Sequence, residues 1–242
     1  MRIAVLTDIH GNLPALQAVL EDCVRQGCDA IYSIGDAIAI GPQPAECVDL
    51  LVNTSNVVPL MGNHELWAVV GLPQPRPEWL DDGEVEHQHW VHEQLGPSRR
   101  EAMAGWPCVI EESFEGVRVA LLHFEPEDTP LGYCSFDCDA GVSGLDALFG
   151  HYGADLVLYG HTHRAANERG QAHYVNPGSL GCTPQPAASY ALLDCDRARL
   201  SVAIRSVSYD DAPLFAAFEE RQVPERAFLY GAFYGGRYPP SH

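Results

Sequence analysis

Short apolar runs that end in polar residues recur through the first half of the chain, and each is followed by a helical pattern. Residues 2–7 form the first run, and residues 13–25 carry the helical spacing that follows it. The same order of strand, polar turn and helix returns at residues 30–34 and 45–52. Such alternation is typical of an α/β fold. We therefore predict an α/β protein.

The 242 residues have the length of one domain with a two-sheet core, and neither a repeat nor a clear linker divides them. We predict a single domain over residues 1–242. Residues 71–105 differ in character, because three prolines precede two polar, helix-like stretches at Gly83 to Leu95 and Ser98 to Ala104. This region is predicted to be a helical insertion.

The second half of the chain reads mostly as β-structure. Residues 108–124 are expected to form a hairpin that turns near Glu115 and Gly116, and residues 155–159 a further buried strand. Three later strands are expected to be antiparallel: His173 to Val175, Ser189 to Asp194 and Leu200 to Val207. From about residue 210 the tail is predicted to be helical, and five of its side chains are expected to pack against the body: Phe215, Phe218, Phe228, Leu229 and Tyr230.

Charge and composition limit the partners. A net charge of −19 and a pI near 4.7 disfavour long DNA or RNA, because that binding depends on clusters of Lys and Arg. Two bound dications would offset the charge locally, so a small anionic substrate is compatible with the acidic surface.

Eight cysteines are present without a CxxC pair, and we interpret even Cys134 and Cys138 as ordinary thiols. No structural zinc is predicted. The N-terminus resembles a buried strand more than a signal peptide, and no stretch approaches the roughly 18 apolar residues of a membrane span. These features predict a cytoplasmic protein that does not associate with membranes.

Oxygen and imidazole donors follow five of the predicted strands. They are Asp8 and His10, Asp36, Asn63 and His64, His123, and finally His161 and His163. Loops at strand ends are where open α/β sheets bind ligands. Any one of these residues alone reads as a turn former or a surface His, but recurrence at five strand ends favours one site. The donor types suit Mn, Fe, Zn, Co or Ni.

Seven of these donors, all except His64, can serve two ions if one carboxylate is shared. Asp36 is the expected bridge, because it lies between the other ligand loops in chain order. Two ions about 3.5 to 4 Å apart can generate hydroxide and clamp a phosphoryl group during in-line displacement. The donor set is therefore compatible with metal-assisted transfer of a phosphoryl group.

These motifs resemble the calcineurin-like metallophosphoesterase superfamily. The matching segments are Asp8-x-His10, Gly35-Asp36, Gly62-Asn63-His64-Glu65, His123 and Gly160-His161-Thr162-His163. Residues 175–181 also resemble its small bacterial phosphodiesterase branch, so the similarity extends to about residue 207. The resemblance implies a four-layer α/β/β/α sandwich of two mixed sheets flanked by helices.

The same resemblance implies a role for each site residue. The first ion would be held by Asp8, His10, Asp36 and His163, and the second by Asp36, Asn63, His123 and His161. His64 would be the proton donor to the leaving oxygen, and hydroxide held by the metals would attack phosphorus. The implied catalytic residues are thus His64 and Asp36.

Two departures from the family bear on the substrate. Protein phosphatases and symmetrical dinucleotide hydrolases carry Gly-Asp-x-Val-x-Arg-Gly, whereas residues 35–41 lack the Arg. Leu66 and Trp67 also replace the Arg that follows Gly-Asn-His-Glu in protein phosphatases. Without an extra cation, a diester monoanion is favoured over a monoester dianion. A phosphomonoesterase and a non-catalytic scaffold remain the alternatives, although the complete donor set favours an enzyme.

Two further features leave alternatives open. Phe124 follows His123 and is expected either to pack in the core or, with Glu125 and Glu127, to reshape the pocket. The group of three histidines in the insertion, His87, His89 and His92, could bind a metal, but the flanking Glu, Gln and Trp residues favour a solvated helix face. The native metals, the physiological substrate and the oligomeric state are not determined by the sequence.

Overall fold

The computed structural model describes residues 1–129, 131–134, 141–197 and 199–237 and contains two five-stranded sheets. In spatial order, the first sheet consists of β10 (Arg199–Ser208), β9 (Ala187–Asp196), β1 (Arg2–Leu6), β2 (Ala30–Ile34) and β3 (Val57–Leu60). The second consists of β4 (Val109–Phe114), β5 (Val117–Leu122), β6 (Leu156–Leu158), β8 (His173–Asn176) and β7 (Ala166–Arg169).

Both sheets are mixed. Strands β1, β2 and β3 are parallel, and β9 pairs with β1 in the antiparallel direction. Strands β5, β6 and β8 are parallel as well, with β4 and β7 as antiparallel edges. The parallel strands of each sheet therefore bring their carboxyl ends to one edge.

Alternation along β1 shows how the layers are built. Ala4 and Leu6 pack with α1 (Leu13–Gln26) and α2 (Pro44–Asn53), whereas Ile3 and Val5 pack against β5 and β6 of the other sheet. On the far side, α5 (Gly141–Phe149) covers the second sheet through Leu145 and Phe149. The α/β/β/α sandwich implied by the resemblance is confirmed.

The expected hairpin is present, because β4 and β5 are antiparallel with Glu115 and Gly116 between them. The prediction that residues 173–175 are antiparallel is wrong for their pairing with β6, which is parallel. Their other neighbour, β7, is antiparallel but was not predicted, because its residues Ala166 to Arg169 are mostly exposed and lack an apolar pattern.

The insertion region contains α4 (Asp82–Met103), which packs against α3 (Asn63–Val70) and α2. The two helical stretches predicted there are joined, but the backbone leaves helical geometry at Gly96, before Pro97. The interpretation of a solvated face is wrong for His87 and Gln88, which are buried. The Ile40 N–H donates to His87 Nε2 at 2.9 Å, so this ring packs on the loop after β2.

The tail contains α6 (Ala212–Glu220) and α7 (Arg226–Phe233), whose aromatic side chains form a cluster of their own. Four of the five side chains expected to pack against the body are buried. The prediction is wrong for Phe228, which is 63% exposed. The cluster includes Ile40 and Cys182, which places the tail beside the loops at the strand ends.

The described cysteines are all free, and Cys138 lies outside the described residues. Within the described ranges, none of the helices combines the length and the apolar composition needed to cross a membrane.

Candidate metal centre

The carboxyl ends of five strands bring the predicted site residues into one cluster. Strands β1, β2 and β3 lead into the loops of the first sheet, and β5 and β6 lead into those of the second. The residues that meet there are Asp8, His10, Asp36, Asn63, His64, His123, His161 and His163.

Two of the imidazoles are oriented by backbone carbonyl groups. His10 Nδ1–H donates to the Ile38 carbonyl at 3.1 Å, and His123 Nδ1–H donates to the Ile34 carbonyl at 2.9 Å. In each ring Nε2 is therefore the nitrogen that faces the cluster. A hydrogen bond from the opposite ring nitrogen is the usual way in which a metal-ligating His is fixed.

The two oxygens of the Asp8 carboxylate have different neighbours. Its Oδ2 accepts from the Thr7 hydroxyl at 2.8 Å and from the His161 N–H at 3.2 Å. Its Oδ1 lies 3.2 Å from His163 Nε2. Among the described residues, neither the buried Asp8 Oδ1 nor the buried His123 Nε2 makes a hydrogen bond of good geometry, although each lies within ion-pair distance of a site residue, His163 and Asp36 respectively. Buried polar atoms normally make hydrogen bonds of good geometry, so these two atoms are suited to coordinate a cation.

Asp36 occupies the centre. Its Oδ1 accepts from the His64 N–H at 3.1 Å, while Oδ2 lies 3.1 Å from His123 Nε2 and 3.9 Å from His10 Nε2. The carboxylate thus belongs to two groups of donors that could each hold an ion, one with His10 and His64 and one with His123 and His161. Its position is suited to a shared ligand.

Two further pairs of donor atoms are close enough to share an ion. His10 Nε2 and His163 Nε2 are 2.8 Å apart, and His161 Nδ1 and Asn63 Oδ1 are 2.9 Å apart. The set combines carboxylate, amide and imidazole donors, which suits borderline transition metals. The residues present therefore fit the ions that the sequence led us to expect.

The electrostatics of the cluster favour a positive charge. Burial opposes ionisation of Asp8 and Asp36, but nearby imidazoles, foremost His163 and His123 respectively, lower the pKa of each carboxyl below its usual range. Burial likewise lowers the pKa of His123, yet the carboxylates raise it to about 9. Two carboxylates held in the ionised state in a buried site attract a cation to its centre.

The backbone of the ligand loops is strained. Five of the seven predicted ligands have positive φ angles: Asp8 at 54°, His10 at 48°, Asp36 at 53°, His161 at 68° and His163 at 56°. Residues other than Gly rarely adopt this left-handed region, and such outliers cluster at functional sites.

Glu65 is the supporting residue whose role the sequence did not reveal. It is fully buried, and its carboxylate accepts from the N–H groups of Asp36, Gly62, Ala37 and Ile38 at 2.8, 2.8, 2.8 and 3.2 Å. Burial and the charge of Asp36 raise the pKa of Glu65 to about 7, while these backbone groups oppose the shift. Glu65 ties the loop after β2 to the start of α3.

Gln88 and Trp67 fix the ring of His64. Gln88 Nε2–H donates to His64 Nδ1 at 3.0 Å, and Glu84 accepts from the same amide at 2.8 Å. The Trp67 ring packs edge-on at 5.1 Å. Burial, with smaller effects from other histidines, lowers the pKa of His64 to about 4 against the opposing charge of Asp36. Gln88 comes from α4, so the insertion reaches the site.

A cavity of about 540 Å³ opens over the cluster. Its floor contains His10, Asp36, Asn63 and His64, and the end of α7 with Phe233 forms part of its wall. Phe233 lies 6.0 Å from the His163 ring. The tail therefore shapes the space in which a substrate would sit.

Phe124 packs in the core and is not among the described residues that line the main cavity. It is buried against Phe149, and its ring also lies 4.8 Å from His161. The two acids do not reshape the main cavity, since Glu125 accepts from the Tyr152 hydroxyl at 2.8 Å and Glu127 is exposed.

The amino-acid sequence is similar to one known family and to individual relatives. The profile of the calcineurin-like phosphoesterase superfamily domain matches residues 1–198. The phosphodiesterase YfcE of Escherichia coli is 29% identical over 81% of this chain and 89% of its own length. An uncharacterized protein of Methanocaldococcus jannaschii is 27% identical over 92% of this chain and 94% of its own length.

Solved structures agree with the sequence comparison. A metallophosphoesterase from Sphaerobacter thermophilus superposes with a TM-score of 0.71 and 26% identity, covering 93% of this chain and 96% of that one. A hypothetical protein from Pyrococcus horikoshii shares the fold, with a TM-score of 0.80 and 22% identity over 98% and 99% of the two chains. The chain belongs to the calcineurin-like phosphoesterase superfamily.

Proposed function

We propose that the protein is a hydrolase that uses two divalent transition-metal ions (Mn, Fe, Ni, Co or Zn) to cleave small phosphodiesters. The observation that carries this proposal is the position of Asp36 Oδ2, 3.1 Å from His123 Nε2 and 3.9 Å from His10 Nε2. A carboxylate between two donor groups is what a pair of ions needs as a shared ligand. When bound, such ions activate water near neutral pH and neutralise phosphoryl oxygens.

Two overlapping sets of side chains would hold the ions. The first set is Asp8, His10, Asp36 and His163, and the second is Asp36, Asn63, His123 and His161. The buried Asp8 Oδ1 and His123 Nε2, neither of which makes a hydrogen bond of good geometry among the described residues, support this assignment. The strained ligand loops support it as well, because strain persists only where the surrounding fold imposes a geometry.

His64 is proposed to deliver a proton to the leaving oxygen. Its ring lines the cavity, and Gln88 holds the Nδ1 side, so the Nε2 side is available to a substrate. The ring is neutral near pH 7, because its pKa is lowered to about 4. An anionic phosphoryl group beside it would raise that pKa. Protonation would then accompany substrate binding.

The lining of the cavity supports a diester substrate. Among the described residues that line it, none is Lys or Arg, and Ile40 lies where related phosphatases carry their phosphate-binding Arg. A monoester dianion would lack the extra cation that it usually requires. The relative YfcE is named a phosphodiesterase, which points the same way.

We also propose that the chain forms one domain, in which residues 71–105 and the tail from about residue 210 complete the site. Gln88 of the insertion reaches His64, and Phe233 of the tail lines the cavity. Both regions thus contribute side chains that neither sheet supplies.

Elemental analysis after reconstitution with excess Mn²⁺ or Ni²⁺ tests the two-ion proposal, and we expect two ions per chain. One ion or fewer would overturn it. Asp36→Asn should lose at least one ion and nearly all activity, whereas Asp196→Asn, which changes an 82% exposed carboxylate, should keep both. Two tightly bound ions in Asp36→Asn would remove Asp36 from the bridging position.

The substrate class is tested by a panel of diesters, monoesters, cyclic nucleotides and dinucleotides, assayed with the metal-loaded protein. Diesters should have the highest kcat/KM. A preference for monoesters would replace the diester proposal with the phosphomonoesterase alternative. Full metal content without hydrolysis of any substrate would favour the scaffold alternative.

A further inference from the structure

Cys182 lies on the first-ion side of the cluster, although cysteine is not among the donors predicted from the sequence. One ligand atom from each of His10, His163 and Cys182 lies within 4.8 Å of the others. The thiol is buried, with the residue only 8% exposed, and it lines the main cavity. It therefore faces the same space as the two imidazoles.

The backbone fixes Cys182 relative to the first ligand loop. The Cys182 N–H donates to Ser179 Oγ at 2.8 Å, and the Ser179 hydroxyl donates to the Asp8 carbonyl at 2.8 Å. The Gly181 N–H donates to the same carbonyl at 3.0 Å. A Cβ at Gly181 would lie 1.8 Å from the Ile9 carbonyl oxygen, so only glycine permits this approach. The position of the thiol is built into the fold.

A purely apolar role accounts for only part of this arrangement. Cys182 does belong to the cluster formed by α6 and α7, where it packs near Leu214 and Phe215. Buried cysteines are often small apolar residues of this kind. This one, however, also faces two imidazoles whose Nε2 atoms are 2.8 Å apart, and the buried Oδ1 of Asp8 lies 3.2 Å from one of them, His163. An apolar role explains none of these polar neighbours.

We propose that Cys182 is an additional ligand at the His10–His163 side of the metal centre, and that this side selects a thiophilic dication such as Zn²⁺ or Co²⁺. The inference rests on the proposed two-ion function. Thiolate and imidazole together favour Zn²⁺ and Co²⁺ over Mn²⁺, which prefers oxygen. The thiol proton passes to solvent when the ion binds. The second-ion side, with Asn63, His123 and His161, gains no such preference.

Cobalt spectroscopy of the full chain provides the test. Metal-free protein is titrated with Co²⁺ alone, and we expect a thiolate-to-cobalt charge-transfer band in the near ultraviolet. Cys182→Ala should lose the band and bind Zn²⁺ at one site at least about 10-fold more weakly, because loss of a direct ligand should cost no less than loss of an outer-shell partner, with Mn²⁺ binding unchanged. Cys47→Ala is the matched control, since Cys47 is fully buried in a different part of the core, and it should keep the band.

Alkylation of the unmodified chain provides a second test that does not depend on a variant folding. Iodoacetamide labelling of Cys182, followed by peptide mass spectrometry, should be slowed by Zn²⁺ or Co²⁺ but not by Mn²⁺. Two bound Co²⁺ ions without a charge-transfer band, or a band that persists in Cys182→Ala, would overturn the thiol ligand and leave the two-ion proposal intact. A band with only one Co²⁺ per chain would support the thiol ligand and overturn the two-ion proposal.

Discussion

Replacing Glu65 with Gln should destabilise the protein by about 3 kcal/mol without changing the shape of the side chain. One carboxylate oxygen accepts from the Asp36 and Gly62 N–H groups, and the other accepts from those of Ala37 and Ile38. The amide nitrogen of Gln is a donor, so whichever pair it faces loses its acceptor. A buried donor without a partner costs about 1 to 3 kcal/mol. Two unpaired N–H groups at about 1.5 kcal/mol each therefore give the predicted loss of about 3 kcal/mol.

Thermal unfolding measures this loss. For a chain of this length, 1 kcal/mol corresponds to about 2 to 4 °C, so Glu65→Gln should lower the Tm by roughly 6 to 12 °C. Glu86→Gln is the matched control, because Glu86 is exposed on α4 and should be nearly neutral. If both variants unfold at the same temperature, the four hydrogen bonds to Glu65 do not stabilise the fold, and Glu65 does not hold the loop after β2 against the start of α3.

The remaining predictions concern catalysis and pH. His64→Ala should lower kcat roughly 10²- to 10⁴-fold on alkyl diesters and much less on nitrophenyl diesters, with metal content unchanged, because a nitrophenolate leaves without a proton; equal losses on both would count against a proton donor. Gln88→Leu should lower kcat about tenfold on alkyl diesters and less on nitrophenyl diesters, because Gln88 orients His64 without itself donating a proton. An equal loss on both substrates would mean that Gln88 does not act through His64. Asp22→Asn tests pH-dependent stability. Burial raises the pKa of Asp22, but hydrogen bonds, foremost from Tyr190, lower it below its usual value. The carboxylate should therefore stabilise the fold by a constant amount above about pH 5, and this stabilisation should decline as the pH falls through the folded-state pKa. Denaturant titration of the unmodified protein and of Asp22→Asn between pH 7 and 3 measures the difference in their free energies of unfolding. The difference should shrink at low pH, and a difference that stays constant would exclude a role for Asp22 ionisation.

The left-handed backbone at Asp36 coincides with dense hydrogen bonding and close packing around its loop. Asp36 has a φ of 53°, and the N–H groups of residues 36 to 38 donate to the Glu65 carboxylate. Gly62 lies so close that a Cβ there would be 2.3 Å from Asp36 Oδ1. The strain and the tight packing occur together, as expected where a fold imposes the geometry of a site.

The sequence by itself determined the α/β class and the eight polar side chains at the strand ends. Both follow from local information. An apolar run identifies each strand, and the polar residue after it lies at the carboxyl end, where parallel neighbours must meet. Asp8 and His163 are far apart in the sequence, yet their closeness in space was predictable, because each follows the carboxyl end of its own strand.

Only the tertiary structure decided which residues support that set and enclose it. Gln88 had the polar character of a solvated helix, yet α3 and the loop after β2 cover that face. The parallel pairing of residues 173–176 depends on β6, and the placement of Cys182 depends on the contact of its loop with Asp8. Periodicity reports which side of an element is apolar, but the partner that covers a side is set by contacts between segments far apart in the chain.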